Sequence, residues 1–324
     1  MTDDLPAEAG RSSSGRLPSR RAAVRRRSWL AAGSLLLVAG ALVLDAAVLA
    51  ARVDRVPVEL REGPGTTWVL IGEDSRADLP TGMAAGDVGT PEQVPGSRAD
   101  VVLVLHSSGE RTTVLSVPRD VVVSTPTGGG RLALTWLDGP QATVDALCSL
   151  GIPTDHLVSV DLAGFAAVVD ALGGLEVDVP AAVRDPLAEL DLARAGVQHV
   201  DGRTALALVR SRQPEELRAD TWVPAPADPD VRARTAAGLV QALSAAADDA
   251  RLRPWRLQAT AWAASDALTV DEGTSAGELA ALASADLGPV SVLPVGDPVN
   301  GTLARFPTEE TAAAVAAAGL SCDA

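Results

Sequence analysis

The 324-residue chain contains no lysine and no tyrosine, only two cysteines and three histidines, and its aromatic share is 2%. Without lysine it offers neither a Schiff-base nucleophile nor a phosphate loop of the GxxxxGK[ST] type. HExxH and CxxC are missing as well. That removes the zinc-protease helix and the vicinal dithiol. His106, His156 and His199 are scattered, and His106, at the end of an apolar run, reads as a core residue. With so few aromatics, core volume has to come from Val, Leu and Ala. The all-arginine basicity reads as the codon bias of a GC-rich genome.

What is present is apolar and acidic. Hydrophobic residues make up 47% of the chain, which excludes a disordered protein, and the length suffices for one large core or two modest ones. The net charge of -15 is uneven. Residues 1–28 hold seven Arg against three acids, a net of +4, and the remainder holds twenty Arg against thirty-nine acids, a net of -19. A body that acidic lacks the positive footprint of general nucleic-acid binding.

The tail "SRRAAVRRRSW" (19–29) runs into "WLAAGSLLLVAGALVLDAAVLAA" (29–51), 23 residues with one charge, Asp45. This is long enough to cross a bilayer as a helix. The arginines before it predict a cytoplasmic N-terminus and an extracytoplasmic remainder. The rival reading is a signal peptide cleaved after Ala50; a tail of 28 residues containing acids argues for the anchor. The expected organisation is a cytoplasmic tail (1–28), a transmembrane helix (29–51), a stalk (52–66) and one extracytoplasmic domain (67–324). Cys148 and Cys322 both fall in that domain, where an oxidising compartment permits a disulfide; two separate buried thiols are the alternative.

Within the domain, "TWVLIG" reads as a strand and 77–97 as a Gly/Pro-rich loop. "DVVLVLHSSGERTTVLSVPRD" reads as a hairpin whose strands are covered on both faces, because successive residues are apolar. Helical spacing appears over 135–152, with Gly151 as a stop. "HLVSVDLAGFAAVVDALGGLEVDVP" (156–180) reads strand–helix–strand, with Gly173 and Gly174 ending the helix. "VDGRTALALVRSR" ends a helical run on two arginines, and 213–230 reads as a polar, Pro-rich mobile flap. Further helices are expected from 231, at 276–286 and at 309–319, with a strand at 289–295. The fold class is therefore α/β, a mixed β-sheet flanked by helices in an α/β/α arrangement.

Four apolar segments carry charge at an end: "WVLIGEDSR", "RADVVLVL", "LSVPRDVVV" and "ALALVRSR". A single arginine at such a place is usually half of a surface ion pair. Taken together, Arg98, Arg119, Arg210 and Arg212 read as a diphosphate clamp, since guanidinium forks bind phosphate oxygens two at a time. Asp74 and Asp100 share that neighbourhood. Two carboxylates beside a diphosphate call for a cation, and Mg²⁺ takes one or two carboxylates with phosphate oxygens and water.

In order, "LIGEDSR", "SRADVVLVL", "LSVPRDVVV", "DHLVSVDLAGFAAVVDALGGLEVDVP" and "VDGRTALALVRSR" resemble the LytR–CpsA–Psr family, over about residues 68–245. The resemblance implies an extracytoplasmic phosphotransferase that moves a cell-wall glycopolymer from a polyprenyl-diphosphate carrier to peptidoglycan, forming a phosphodiester. It implies Asp74 and Asp100 as ligands of Mg²⁺ (or Mn²⁺), and Arg98, Arg119, Arg210, Arg212 and Arg232 as the catalytic phosphate contacts. Arg76 and Asp120 match motif residues that orient the others at the substrate. The implied partners are the lipid-linked glycopolymer, peptidoglycan and the cell membrane.

The sequence departs from the family pattern where an Arg-Gln-Gln triplet is expected and Thr235, Ala236 and Ala237 stand instead. Pro229 occupies an expected Asp position, and Gly139-Pro140 replaces a glycine pair. Two other readings stay open: a non-catalytic binder of lipid-linked intermediates, and a membrane-anchored regulator acting through its Arg-rich tail.

Overall fold

The structure, a computed structural model, describes residues 40–41, 43–75, 96–109, 111–126, 128–225, 231–285, 287, 289–299 and 301–322; at 231–233 it describes the backbone only. Contacts divide the chain between Val48 and Leu49, and the elements below belong to the unit Leu49–Ala324.

Strand β1 (Asp54–Val56) is followed by β2 (Thr66–Glu73), β3 (Ala99–Ser108), β4 (Arg111–Ser116), β5 (Val122–Thr125) and β6 (Gly128–Arg131). Helix α1 (Leu132–Thr135) and a 3-10 turn lead to α2 (Pro140–Cys148), β7 (His156–Val160), α3 (Leu162–Leu172) and β8 (Leu175–Val179). Then come β9 (Val183–Asp185), β10 (Leu190–Leu192), β11 (Gly196–Val200) and α4 (Gly202–Arg210). Next are β12 (Glu215–Arg218), β13 (Thr221–Pro224), α5 (Val231–Arg251) and α6 (Pro254–Ala267). The chain closes with β14 (Leu268–Asp271), α7 (Ala276–Leu282), β15 (Val290–Val292) and α8 (Glu309–Ala317).

Seven strands form one mixed sheet in the order β1-β14-β7-β2-β3-β4-β15. The period-2 alternation of a strand explains its apolar runs. Val69, Ile71, Val102 and Val104 face one side, where Val144 and Leu147 of α2 and Val315 of α8 cover them. Trp68, Leu103 and Leu105 face the other, under Val240 of α5 and Leu279 and Leu282 of α7. Both faces are dry, so consecutive residues are apolar, as the sequence predicted. Ile71 and Leu157 are each 1% exposed, and full burial of such a side chain is worth about 1.5–3 kcal/mol. A second core joins α3, α4 and α5 to β8 and β10 through Val169, Leu175, Leu190, Ala205 and Leu239.

Caps set the ends of the two helices that matter most. The Asp161 side chain accepts from the Gly164 N–H at 2.7 Å and starts α3; Gly173, at φ +89°, ends it in the left-handed conformation. Asp201 starts α4 by accepting from the Thr204 N–H at 2.8 Å. The first residue of α4, Gly202, lies so close to α3 that a Cβ there would overlap the Ala166 carbonyl oxygen. Only glycine allows that crossing.

Two expectations are corrected. The supposed flap at 213–230 contains a hairpin, β12–β13, which extends β9 and β10 into a four-stranded antiparallel sheet. Its turn uses Ala219 and Asp220 at φ +47° and +62°, the left-handed pair of a tight hairpin turn, without the glycine that would have announced it. Residues 226–230 of the supposed flap lie outside the described residues. The supposed stalk is part of the domain: β1 pairs with β14, Val53 is in the core, and Arg61 bridges to Thr154. The predicted 77–97 loop lies outside the described residues apart from Gly96 and Ser97. So do 29–39 and 42 of the expected span; among the described residues no helix is long and apolar enough to cross a membrane.

Candidate functional site

Between the sheet and helices α3, α4 and α5 lies a cavity of about 400 Å³. Its walls are apolar: Leu70, Leu103 and Val158 from the sheet, Phe165, Leu206 and Leu239 from the helices. Its charged lining comes from Glu73, Asp74, Asp100, Asp161, Asp185, Arg210 and Arg212. Each is placed at or beside the end of a regular element, so rigid backbone holds it.

The β2–β3 pairing slips by one residue between Gly72 and Glu73. Such a bulge re-aims side chains at a strand end. In this sheet it lets the consecutive residues Glu73 and Asp74 both reach the cavity. Asp74, 7% exposed, accepts from the Arg98 N–H at 2.8 Å, and its second oxygen lies 3.8 Å from the Arg98 guanidinium. Glu73 accepts from the Ser97 hydroxyl at 2.8 Å and the Trp136 indole N–H at 3.1 Å.

Ion pairs run in sequence across the site. Arg131 Nη1 lies 3.0 Å from Asp120, Asp120 lies 3.7 Å from Arg119 Nε, Arg119 Nη1 donates to Asp100, and Arg212 Nη2 lies 3.3 Å from the other Asp100 oxygen. The opposite charges in "LSVPRDVVV" are therefore two members of one relay. Asp120 and the Arg119 side chain are largely enclosed, and a buried charge is tolerated only when paired. Among the described residues Arg119 Nε has no hydrogen-bond partner.

Asp185, at the end of β9, is 1% exposed. One oxygen accepts from the Ser211 hydroxyl and the N–H groups of Arg212 and Gln213, each at 2.8 Å; the other accepts from the Leu187 N–H at 3.1 Å. Burial pushes its pKa up, but the donors from Gln213, Ser211, Arg212 and Leu187 outweigh it and hold the carboxyl below its ordinary 3.8. The turn after α4 is thereby locked, and Arg212 with it.

Of the residues read from the sequence, Asp74, Asp100, Arg210 and Arg212 line the one cavity. Arg98 and Arg119 hold the two aspartates. Asp120 stands behind Arg119, away from the cavity lining. Arg76 and the Arg232 side chain lie outside the described residues. Among the described residues no three His, Cys, Asp or Glu side chains gather as a metal cluster. Glu73 and Asp185 escaped the sequence reading: the first needed the bulge, the second a partner turn 26 residues away. Ala236 and Ala237 are buried, and Ala236 lines the cavity, so the position of the missing triplet is apolar wall. His106 is 2% exposed beside Thr67 Oγ1 at 3.0 Å, in the core as expected, and burial lowers its pKa against the opposing pull of Asp155. Cys148 and Cys322 are disulfide-bonded, with Cα atoms 5.3 Å apart.

A family model described as the LytR_cpsA_psr family matches residues 51–221. A LytR-Csp2A-Psr enzyme from Actinomyces oris superposes with a TM-score of 0.69 at 35% identity, over 83% of this chain and 97% of that one. TagT bound to LI-WTA shares the fold, with a TM-score of 0.54 at 18% identity over 81% of this chain and 91% of that one. The probable cell wall biosynthesis protein LcpB of Corynebacterium glutamicum is 37% identical over 171 residues, 50% of this chain and 40% of its own length. The polyisoprenyl-teichoic acid–peptidoglycan teichoic acid transferase TagV of Bacillus subtilis is 31% identical over 149 residues, 43% of this chain and 38% of its own length. The matched segment is thus well under two thirds of either curated relative. The family match covers more than half of the chain and includes its central strands and most of the cavity. The chain belongs to the LytR_cpsA_psr family.

Proposed function

We propose that this chain is a membrane-anchored extracytoplasmic phosphotransferase that moves a glycopolymer from a polyprenyl-diphosphate carrier to peptidoglycan. The observation that carries this reading is the form of the cavity: apolar walls that suit an isoprenoid chain, with Asp74, Asp100, Arg210 and Arg212 where a diphosphate would sit. The relatives' names, cell wall biosynthesis protein and teichoic acid transferase, support the same class of reaction.

Arg119 and Arg212 both pair with Asp100. A diphosphate entering the site competes for Arg119 and Arg212, and their transfer to phosphate oxygens releases both oxygens of Asp100. Asp74 and Asp100 are hard oxygen donors at one site, which fits a divalent cation held partly by substrate phosphate. Bound there, Mg²⁺ or Mn²⁺ would supply charge neutralisation. The sugar hydroxyl of peptidoglycan attacks the phosphorus nearest the glycopolymer. A new P–O bond forms, the bond from that phosphorus to the bridging oxygen breaks, and polyprenyl phosphate leaves with the electron pair. A carboxylate of the Glu73, Asp74 and Asp100 group takes the hydroxyl proton. Arg119, Arg210 and Arg212 orient the phosphates and stabilise charge on the leaving group.

The test is to incubate the full chain in detergent with a polyprenyl-diphosphate-linked saccharide and a peptidoglycan fragment, with and without Mg²⁺, and to follow products by mass spectrometry. A metal-dependent phosphodiester product, absent with Arg119→Ala, is expected. Tight lipid binding with no product under any divalent metal would replace this reading with a lipid-intermediate binder, to which the apolar Ala236 wall would then belong.

A further inference from the structure

Helix α6 and the turn before it present an apolar face that the fold does not cover. Leu252 is 82% exposed and Trp255 is 69% exposed. Trp262, seven residues further on, lies on the same stripe and is 37% exposed. A scattered surface leucine needs no explanation, but two exposed tryptophans on one helical stripe beside a leucine do.

Arg52 ties this face to the N-terminal apolar run. Its Nη2 lies 3.0 Å from Asp266, its Nε donates to Ser265 Oγ at 3.3 Å, and its guanidinium stacks 4.7 Å from the Trp262 ring. The apolar run 29–51 ends one residue earlier. The point where the chain leaves that run is therefore pinned to the C-terminal half of α6, against Trp262.

We propose that Leu252, Trp255 and Trp262 form a docking face that seats the domain on the lipid headgroup region of the membrane from which the chain emerges at Arg52. The inference rests on the membrane-anchored reading of the proposed function. Tryptophan suits this place because its ring is apolar and its N–H is wet. Local charge does not drive the contact. Arg251 pairs with Asp248, Arg253 and Arg256 share Asp249, and the small local excess of one positive charge sits on a body that is strongly acidic. The docking is therefore apolar in origin and insensitive to salt.

The face also bears on the cavity. Helix α6 packs on α3 so closely that a Cβ on Gly164 would lie 2.6 Å from the Ala267 Cβ. The neighbours of those two residues, Phe165 and Leu268, line the cavity. Seating α6 on the bilayer brings the apolar walls of the cavity close to the lipid, and shortens the path by which an isoprenoid chain would enter.

The test uses the full chain reconstituted into phosphatidylcholine vesicles with brominated acyl chains, which quench tryptophan fluorescence on contact. Flotation reports anchoring, and quenching reports docking. Trp255→Phe/Trp262→Phe, which keeps an aromatic ring against Arg52, is compared with the unaltered chain; Trp29 contributes equally to both. The quenched emission is expected to fall roughly twofold in the double variant and to be unchanged by 0.5 M salt, about the ionic strength that removes long-range charge attraction. Leu252→Glu, which leaves every fluorophore in place, is expected to weaken quenching and red-shift the emission. A chain that floats with the vesicles while its quenching is the same in all three proteins overturns the docking face and leaves the anchor standing. A chain that does not float overturns the anchor and the docking face together.

Discussion

Asp185 holds the turn that carries Arg212: a single carboxylate oxygen, 1% exposed as part of its residue, accepts from the Arg212 N–H at 2.8 Å. The same oxygen takes the Ser211 hydroxyl and the Gln213 N–H, so one buried charge sets the aim of a cavity arginine from behind.

Asp185→Asn removes the charge and keeps the shape. It is expected to lower stability at pH 7 by about 1–3 kcal/mol, the cost of weakening hydrogen bonds to a buried charged group. Because the folded pKa lies below the unfolded 3.8, the contribution of Asp185 is present above that value and is lost as pH falls through the folded one. Denaturant unfolding at a series of pH values should show the gap between the two proteins closing below about pH 4. A gap of constant size down to about pH 2 would contradict the assignment.

Arg119→Ala removes one ion-pair partner from Asp100 and one from Asp120. Removing one partner of a largely enclosed pair is expected to cost about 3 kcal/mol, and transfer should fall to background. Arg119→Lys keeps the charge and loses the planar fork; it should recover stability in calorimetry without recovering turnover. Equal turnover in the Lys variant and the unaltered chain would rule out a bidentate role.

Gly202→Ala places a methyl against the Ala166 carbonyl, where no side chain can move aside. The crossing of α3 and α4 has to open. A loss of about 1–3 kcal/mol is expected, with reduced turnover because α4 carries Arg210 at its last residue. Unfolding and activity measured on the same preparation check this, and an unaffected Tm would show that the crossing is loose.

The Cys148–Cys322 disulfide closes a separation of 174 residues. In the chain-entropy account a loop of that size is worth about 5 kcal/mol, equivalent to a Tm shift of about 10 °C for a domain of this length. Calorimetry with and without reductant, and of Cys148→Ser/Cys322→Ser, should give matching losses. No change on reduction would mean that α2 and the C-terminus are held by packing alone.

Local pattern sufficed wherever the signal lay within one element. The doubly apolar runs of β3 and β4 predicted a sheet covered on both faces, and Gly173 and Gly174 marked the end of α3. It also placed Asp74, Asp100, Arg210 and Arg212 at element ends, because a charge beside a buried run must leave the core. Long-range contact decided the rest. The slip at Gly72/Glu73 brought Glu73 to the cavity, the non-glycine turn at Ala219-Asp220 made a hairpin where composition suggested a loop, and β1 was drawn from the supposed stalk into the sheet by β14, more than 200 residues later. The sequence determined which residues could be buried and which had to stay charged. Tertiary structure decided which charges meet, since pairing across elements far apart in the chain leaves no periodicity to read.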